Sequence, residues 1–420
     1  MKINTLELTN VRGFTHAKLE FQTGFNLIVG INGVGKTTVL ESLRVVLSHL
    51  LPESTVSKNK KDHFDSYDIQ IEKESLQLNA SLSLGTSDYS FVLTKQKAST
   101  KVVETEDIRN QTFEVNNEPV FKPTISKEHK NQTNQPLGIF FSSHRSLMNE
   151  EKASKSQTVG GQAIAFADAL HNKREFSIRL FADWFLAQEA LAIEKPDLLI
   201  KINTIKEAIY TFLPGFSNLS VIKDLRGEKN TFSIIKNKKT LSLQQLSDGE
   251  RSLLTVVLDI ARRLTIANAT LENPLYGEAV ILIDELDLHL HPKWQRTVVS
   301  DLKRTFPNCQ FIATTHSPQI ISSVLPENIQ IIKNFEVDQT IKSFGLDINW
   351  ILKFIMEDSD RLKESDEAIA AVQKLINDIE FDEARTLIEK YKAQNLDLSE
   401  WVMFEAQMAH LELFEDEENN

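Results

Sequence analysis

Hydrophobic residues along this chain fall into two rhythms. Short apolar runs at Phe25–Val29, Leu137–Phe141 and Ala279–Ile283 have the length of strands buried on both faces of a parallel sheet. A last strand is expected near Ile329 to Lys333. Elsewhere Leu76, Leu78, Ala80, Leu82 and Leu84 alternate with polar residues, and Tyr89, Phe91 and Leu93 resume the alternation after the turn signal Gly85–Asp88. That pattern predicts a hairpin with one wet face. Helical spacing governs the stretch from about Gln162 to Phe212, where Phe166, Leu170, Phe176, Leu180, Trp184 and Leu191 form a stripe read as core, ended by Pro214 and Gly215. Helical periodicity returns over Trp350–Met356 and Asp366–Leu413, with Asp378–Arg385 as the junction of a helix pair. The expected organisation is a head at 1–345, carrying an antiparallel β insertion at 51–130 and a helical insertion at 150–215. A C-terminal helical region at 346–420 follows and suits the docking of a partner.

Candidate chemistry sits where two of the buried runs end. After Val29 comes Gly30-Ile-Asn-Gly-Val-Gly-Lys-Thr37, which fills every fixed position of the phosphate-binding loop G-x-x-x-x-G-K-[ST], and a helix is expected from Thr38. Such a loop turns its backbone N–H groups onto the phosphates of a nucleoside triphosphate. Lys36 reaches the terminal phosphates and the Thr37 hydroxyl ligates Mg²⁺. The second run, Ala279–Ile283, presents Asp284 and Glu285 at its carboxyl end, where ligands bind in parallel sheets. Asp284 is placed to hold Mg²⁺, and Glu285 to orient or deprotonate a water for in-line attack. The third, Leu137–Phe141, ends in Ser142-Ser-His-Arg145, polar groups within reach of a phosphate or its magnesium.

Composition narrows the classes. A formal charge of -12 argues against a chain that coats nucleic acid along its whole surface, and leaves room only for a local basic groove. The Lys58–Lys61 cluster reads as a solvated loop, and Glu412–Glu418 as a solvated acidic tail. Cys309 is the only cysteine, which excludes an intramolecular disulfide and paired-cysteine zinc sites. His289 and His291 read as structural or interface residues on a loop beside the nucleotide. With neither a signal-peptide core nor a membrane-length apolar run, a cytoplasmic protein with no membrane partner is expected.

The motifs together carry a resemblance. Ser247-Asp-Gly249-Glu250 opens an amphipathic run from Arg251 to Leu264, and Thr315-His316-Ser317 follows the acidic strand. With the loop read as G-x-N-G-x-G-K-T through Asn32 and Gly33, the first 335 residues or so resemble an ABC-type ATPase head of the RecF, Rad50 and SMC kind. The implied fold class is therefore α/β, a P-loop NTPase of ABC/SMC-head type with β and helical insertions and a C-terminal helical appendage. In that family two heads pair head to tail around ATP. The resemblance implies that Ser247, Gly249 and Glu250 complete the site formed by Gly30, Asn32, Gly33, Gly35, Lys36, Thr37 and Thr38 of a second copy, in a dimer or a higher oligomer. It makes His316 the switch residue that senses the γ-phosphate and Arg12 an N-terminal nucleotide contact, and it places Asp287 near the loop coupling the two sites. The signature carries Asp248 where a second glycine is usual, and no glutamine follows the 137–141 strand.

A finer resemblance, through Asp284–Gln295 and Ile348–Leu352, is to the compact ATPases of bacterial Septu and retron-linked anti-phage systems. It implies a regulatory subunit holding a separate HNH-type nuclease, since this chain has no HNH pattern and little room for a Toprim domain. The absence of long heptads excludes extended coiled-coil arms. The competing reading is a RecF- or Rad50-like ATP-dependent clamp on DNA, acting in repair or recombination. A transporter subunit fits the long insertions poorly.

Overall fold

A computed structural model describes residues 1–85, 87–97, 112–115, 118–120, 130, 132–143, 161–172, 176–224, 227, 229–340, 342–356 and 363–418. The chain opens with β1 (Lys2–Val11) and β2 (Phe14–Glu20), followed by β3 (Phe25–Val29), the phosphate loop and helix α1 (Lys36–Ser54). Strands β4 (Ser75–Leu84), β5 (Ser87–Gln96), β6 (Thr112–Val115) and β7 (Glu118–Val120) come next, then β8 (Leu137–Phe141). Helices α2 (Ile178–Leu191) and α3 (Asp197–Phe212) lead to β9 (Phe216–Lys223), β10 (Asn230–Lys236) and β11 (Lys239–Ser242). Helix α4 (Asp248–Ala267), β12 (Ala279–Ile283), helix α5 (Val298–Thr305), β13 (Cys309–Thr315), β14 (Ile329–Lys333) and β15 (Glu336–Gln339) complete the sheets. The rest is helical: α6 (Ile348–Phe354), α7 (Lys363–Asn377), α8 (Phe381–Ala393) and α9 (Glu400–Glu418).

The three apolar runs enter one sheet of order β15-β14-β3-β13-β12-β8, parallel except for β15, with β13 between the first run and the other two. All residues of β3, β8, β12 and β13 are buried, as their near-continuous apolar sequences require. Asn26, the one polar residue of β3, is tolerated because its amide donates to the Gln22 and Phe311 carbonyls and accepts from the Gln22 N–H. Parallel registration brings Val29, Phe141, Ile283 and Thr315 to the same carboxyl edge.

The predicted hairpin is β4 and β5, with Leu84 opposite Ser87, so the turn is tighter than the Gly85–Asp88 signal suggested. It belongs to a larger antiparallel sheet, β2-β1-β4-β5-β6-β7, whose first two strands come from the N-terminus. The β insertion thus folds against residues read before β3, and α1 runs past Leu51 to Ser54 before it begins. Gln310 of β13 joins the two sheets. Its carbonyl oxygen accepts from the Ile3 N–H and its amide donates to the Ile3 oxygen, each at 2.7 Å.

The stripe expected between Gln162 and Phe212 is corrected. Phe166 and Leu170 are buried in a 3₁₀ turn and the loop after it, whereas Leu180 and Leu191 face solvent at 49% and 48% exposure. The buried face of α2 is Ile178, Phe181, Ala182 and Phe185, with Phe181 and Phe185 packing on Phe232 of β10. Helical phase is lost wherever the chain leaves the helix, so a stripe counted across a non-helical stretch points the wrong way. The acidic run from Glu412 is likewise not a free tail: α9 continues through it to Glu418, and Arg385 of α8 donates to both oxygens of Glu412 at 2.6 and 2.7 Å. The chain divides into two compact units, Met1–Ile351 and Leu352–Asn420. The second has its own core of Val372, Ile376, Ile388, Trp401, Phe404 and Met408. Among the described residues no helix is long and apolar enough to cross a membrane.

Candidate nucleotide-binding site

The site is built where β3 hands over to α1. Gly35 caps that helix with φ at +102°, a left-handed conformation that a side chain would strain, and a Cβ there would lie 2.5 Å from the Phe14 ring. Gly30, Asn32 and Gly33 form the turn before it, with Asn32 and Gly33 exposed. Lys36 is buried, and its ammonium donates to the carbonyls of Gly30 and Ile31 at 2.8 Å. Burial lowers its pKa to about 8 against the opposing pull of Asp284, Glu285 and Asp287. An ammonium so weakly compensated gains from any added negative charge, which is what a phosphate brings.

The acidic strand end converges on the same place. Thr37 sits with its hydroxyl 3.2 Å from Asp284, an oxygen pair of the hard-donor type that suits Mg²⁺. Thr314, the penultimate residue of β13, donates its hydroxyl to Asp284 at 2.7 Å and accepts from the Glu285 N–H at 2.7 Å. These two hydrogen bonds fix both acids, with Glu285 held at φ +49°, a conformation rare outside glycine and concentrated at functional sites. One step further, Asp287 accepts from the Thr315 hydroxyl and from the His316 N–H. His316 is half-buried, and burial together with the nearby Lys36 lowers its pKa.

Arg12 lies on the other side of the loop. Its guanidinium donates to the Thr38 hydroxyl at 3.2 Å, pairs with Glu41 at 2.8 Å and donates to Asp68 at 2.8 Å. Glu41 accepts in turn from Asn172, whose carbonyl takes the Ser142 hydroxyl at 2.8 Å. Ser142 at the end of β8 is therefore occupied by this brace; His144 and Arg145 lie outside the described residues.

Ser247 and Glu250 form a capping box at the start of α4, the serine accepting from the Glu250 N–H and the glutamate from Ser247. Burial alone would raise the Glu250 carboxyl, but bonds from Lys236 and Ser247 outweigh it and hold the pKa below the usual range. Gly249 is buried, and a Cβ there would meet the His289 carbonyl at 2.5 Å, so the signature turn rests on the loop that follows Glu285. His291 caps the short helix at Pro292–Gln295 by accepting from the Lys293 N–H. Ser247 itself faces solvent, and no hydrogen bond among the described residues joins the signature to the phosphate loop of the same chain.

Four participants escaped the sequence reading: Thr314, Lys236, and Glu41 and Asp68 around Arg12. Only Thr314 left a signal, as a second hydroxyl residue beside Thr315 at a strand end.

A parallel sheet with a glycine loop at one strand end and paired acids at another defines a P-loop nucleoside triphosphatase, here an ATPase. Residues 25–322 match the family described as AAA domain, putative AbiEii toxin, Type IV TA system, and the chain belongs to that family. It is 28% identical over 436 residues to the "Retron Ec83 probable ATPase" of Escherichia coli, covering 87% of this chain and 78% of the relative. It is 25% identical over 405 residues to "Septu protein PtuA" of Bacillus thuringiensis, covering 93% and 92%. Among solved structures, an SMC head bound to the C-winged helix domain of ScpA aligns over 82% of this chain and 98% of its own, at 14% identity and a TM-score of 0.49.

Proposed function

We propose that the protein is a Mg²⁺-dependent ATP hydrolase that pairs head to tail with a second copy and serves as the regulatory subunit of a nuclease-containing anti-phage defence complex. One observation carries the catalytic part: Lys36, Thr37, Asp284, Glu285 and Thr314 meet at one sheet edge, four of them joined through Asp284 and the Thr314 hydroxyl. The loop from Gly30 to Thr38 receives the phosphates, and Lys36 balances their charge. Thr37 and Asp284 would hold Mg²⁺, which when bound offsets negative charge on the phosphate oxygens. Glu285 takes the proton of the attacking water, with its backbone clamped by Thr314 so that the carboxylate keeps its direction. His316 reads the terminal phosphate through its ring, with its backbone N–H donating to Asp287.

The dimer rests on the exposed Ser247 at the N-terminus of α4, which among the described residues is bonded to Glu250 and not to the phosphate loop of its own chain. The place in a defence complex rests on the retron and Septu relatives, and an HNH-type subunit is the partner that this reading expects. Replacing Glu285 by Gln should leave ATP bound and cut turnover by about 10²–10⁴-fold, the usual contribution of a positioned base. Unchanged turnover refutes the role of Glu285. Purifying that variant from its native host with Mg-ATP should recover a stoichiometric nuclease; recovery of DNA or repair proteins without one points instead to the clamp.

A further inference from the structure

Beside Arg12 the chain makes one turn of 3₁₀ helix, Ser66–Asp68, whose middle residue, Tyr67, is 96% exposed. An exposed tyrosine on a loose loop would mean little. This turn is tied down from several directions. The Arg12 N–H donates to the Asp68 carbonyl at 2.7 Å, the Arg12 guanidinium donates to the Asp68 carboxylate at 2.8 Å, and the Gln70 N–H donates to the Asn10 carbonyl at 2.9 Å. Asp65 and Asp68 close a capping box across the turn, and Ile69 is buried behind it. The backbone is thus held in place while the tyrosine leaves nearly all of its surface in solvent, so its burial contributes little to the fold.

The turn lies close to the start of α1. One guanidinium bonds both Asp68 and Thr38, so the turn that carries Tyr67 lies within one side chain of the third residue of α1. A phosphate loop cradles the α- and β-phosphates with the backbone leading into this helix, and the nucleoside hangs from the α-phosphate. The geometry points to Tyr67 as the platform on which the nucleobase stacks, with Arg12 between the base and the phosphates. The proposal rests on the nucleotide-site reading above and adds the residue that recognises the base. A tyrosine offers a flat apolar face whose hydroxyl end stays in water, and every base has a π-face to match it.

The test separates base from phosphate. Titrating the full chain with Mg²⁺ and either a non-hydrolysable ATP analogue or inorganic tripolyphosphate gives two affinities for each variant. Tyr67→Ala should bind the analogue at least about fivefold more weakly, the low end of a base-aromatic stack, and tripolyphosphate as the wild type does. Tyr67→Phe and Tyr67→Trp should restore the analogue. Equal affinity of Tyr67→Ala for the analogue overturns the platform, as does a parallel loss of both ligands. A wild type that binds neither ligand fails the nucleotide-site reading itself, and the platform with it.

Discussion

At the scale of single residues, the site works by holding side chains that would otherwise prefer water. Lys36 gives up hydration for two loop carbonyls, and Glu285 accepts a left-handed backbone because Thr314 bonds its N–H. His49 of α1 shows the same trade outside the site. It is buried against Phe91 and His63, its Nε2 bonds the Asp62 carbonyl at 2.8 Å, and burial lowers its pKa to about 4. As pH falls below 6.5 the unfolded chain takes up this proton before the folded one does. Stability from the neutral ring is therefore complete above about pH 6.5 and is lost progressively toward pH 4. Relative to a His49→Gln variant, whose side chain does not titrate, the wild-type thermal midpoint should drop across that window. A constant difference between the two proteins would assign the acid sensitivity elsewhere.

At the scale of elements, strand ends and helix starts do the chemical work. Strands β3, β12 and β13 end together because parallel registration leaves them no choice, and α1 and α4 each open on a polar turn that suits an anion. The two helix starts belong to different halves of the proposed sandwich. Lys36→Ala should lose nucleotide binding, whereas Ser247→Arg should keep binding to one copy and block pairing. Mixing the two variants should restore part of the turnover, since each supplies what the other lacks. No recovery on mixing would count against the head-to-tail arrangement. Strands β3 and β12 and the starts of α1 and α4 were legible from the sequence because their apolar runs and punctuating residues are local; β13 was not, because Gln310, Thr314 and Thr315 interrupt its apolar run. The α2 face was not: Leu180 and Leu191 look as apolar as Phe181 and Phe185, and only packing on Phe232 selects between them.

At the scale of the whole molecule, the nucleotide chemistry lies in Met1–Ile351 and the three-helix core in Leu352–Asn420. The second unit buries Trp401 completely and closes over its own apolar residues. Ending the chain after Ile351 should accordingly leave ATP binding measurable by titration and abolish capture of the partner subunit. A partner retained by the shortened chain would move the docking surface into the head.

The sequence by itself determined the phosphate loop, the acidic strand, the signature turn and the hairpin, because each depends on residues close together in the chain whose spacing is dictated by strand and helix periods. Tertiary structure decided what lies far apart in sequence. It set β1 and β2 beside the β insertion, brought Thr314 under Asp284 and Glu285, rested Gly249 on His289, and tied the Ser66–Asp68 turn to Arg12. No periodicity encodes such pairings. They follow from which strands share a sheet and which buried polar groups must find partners once water is excluded.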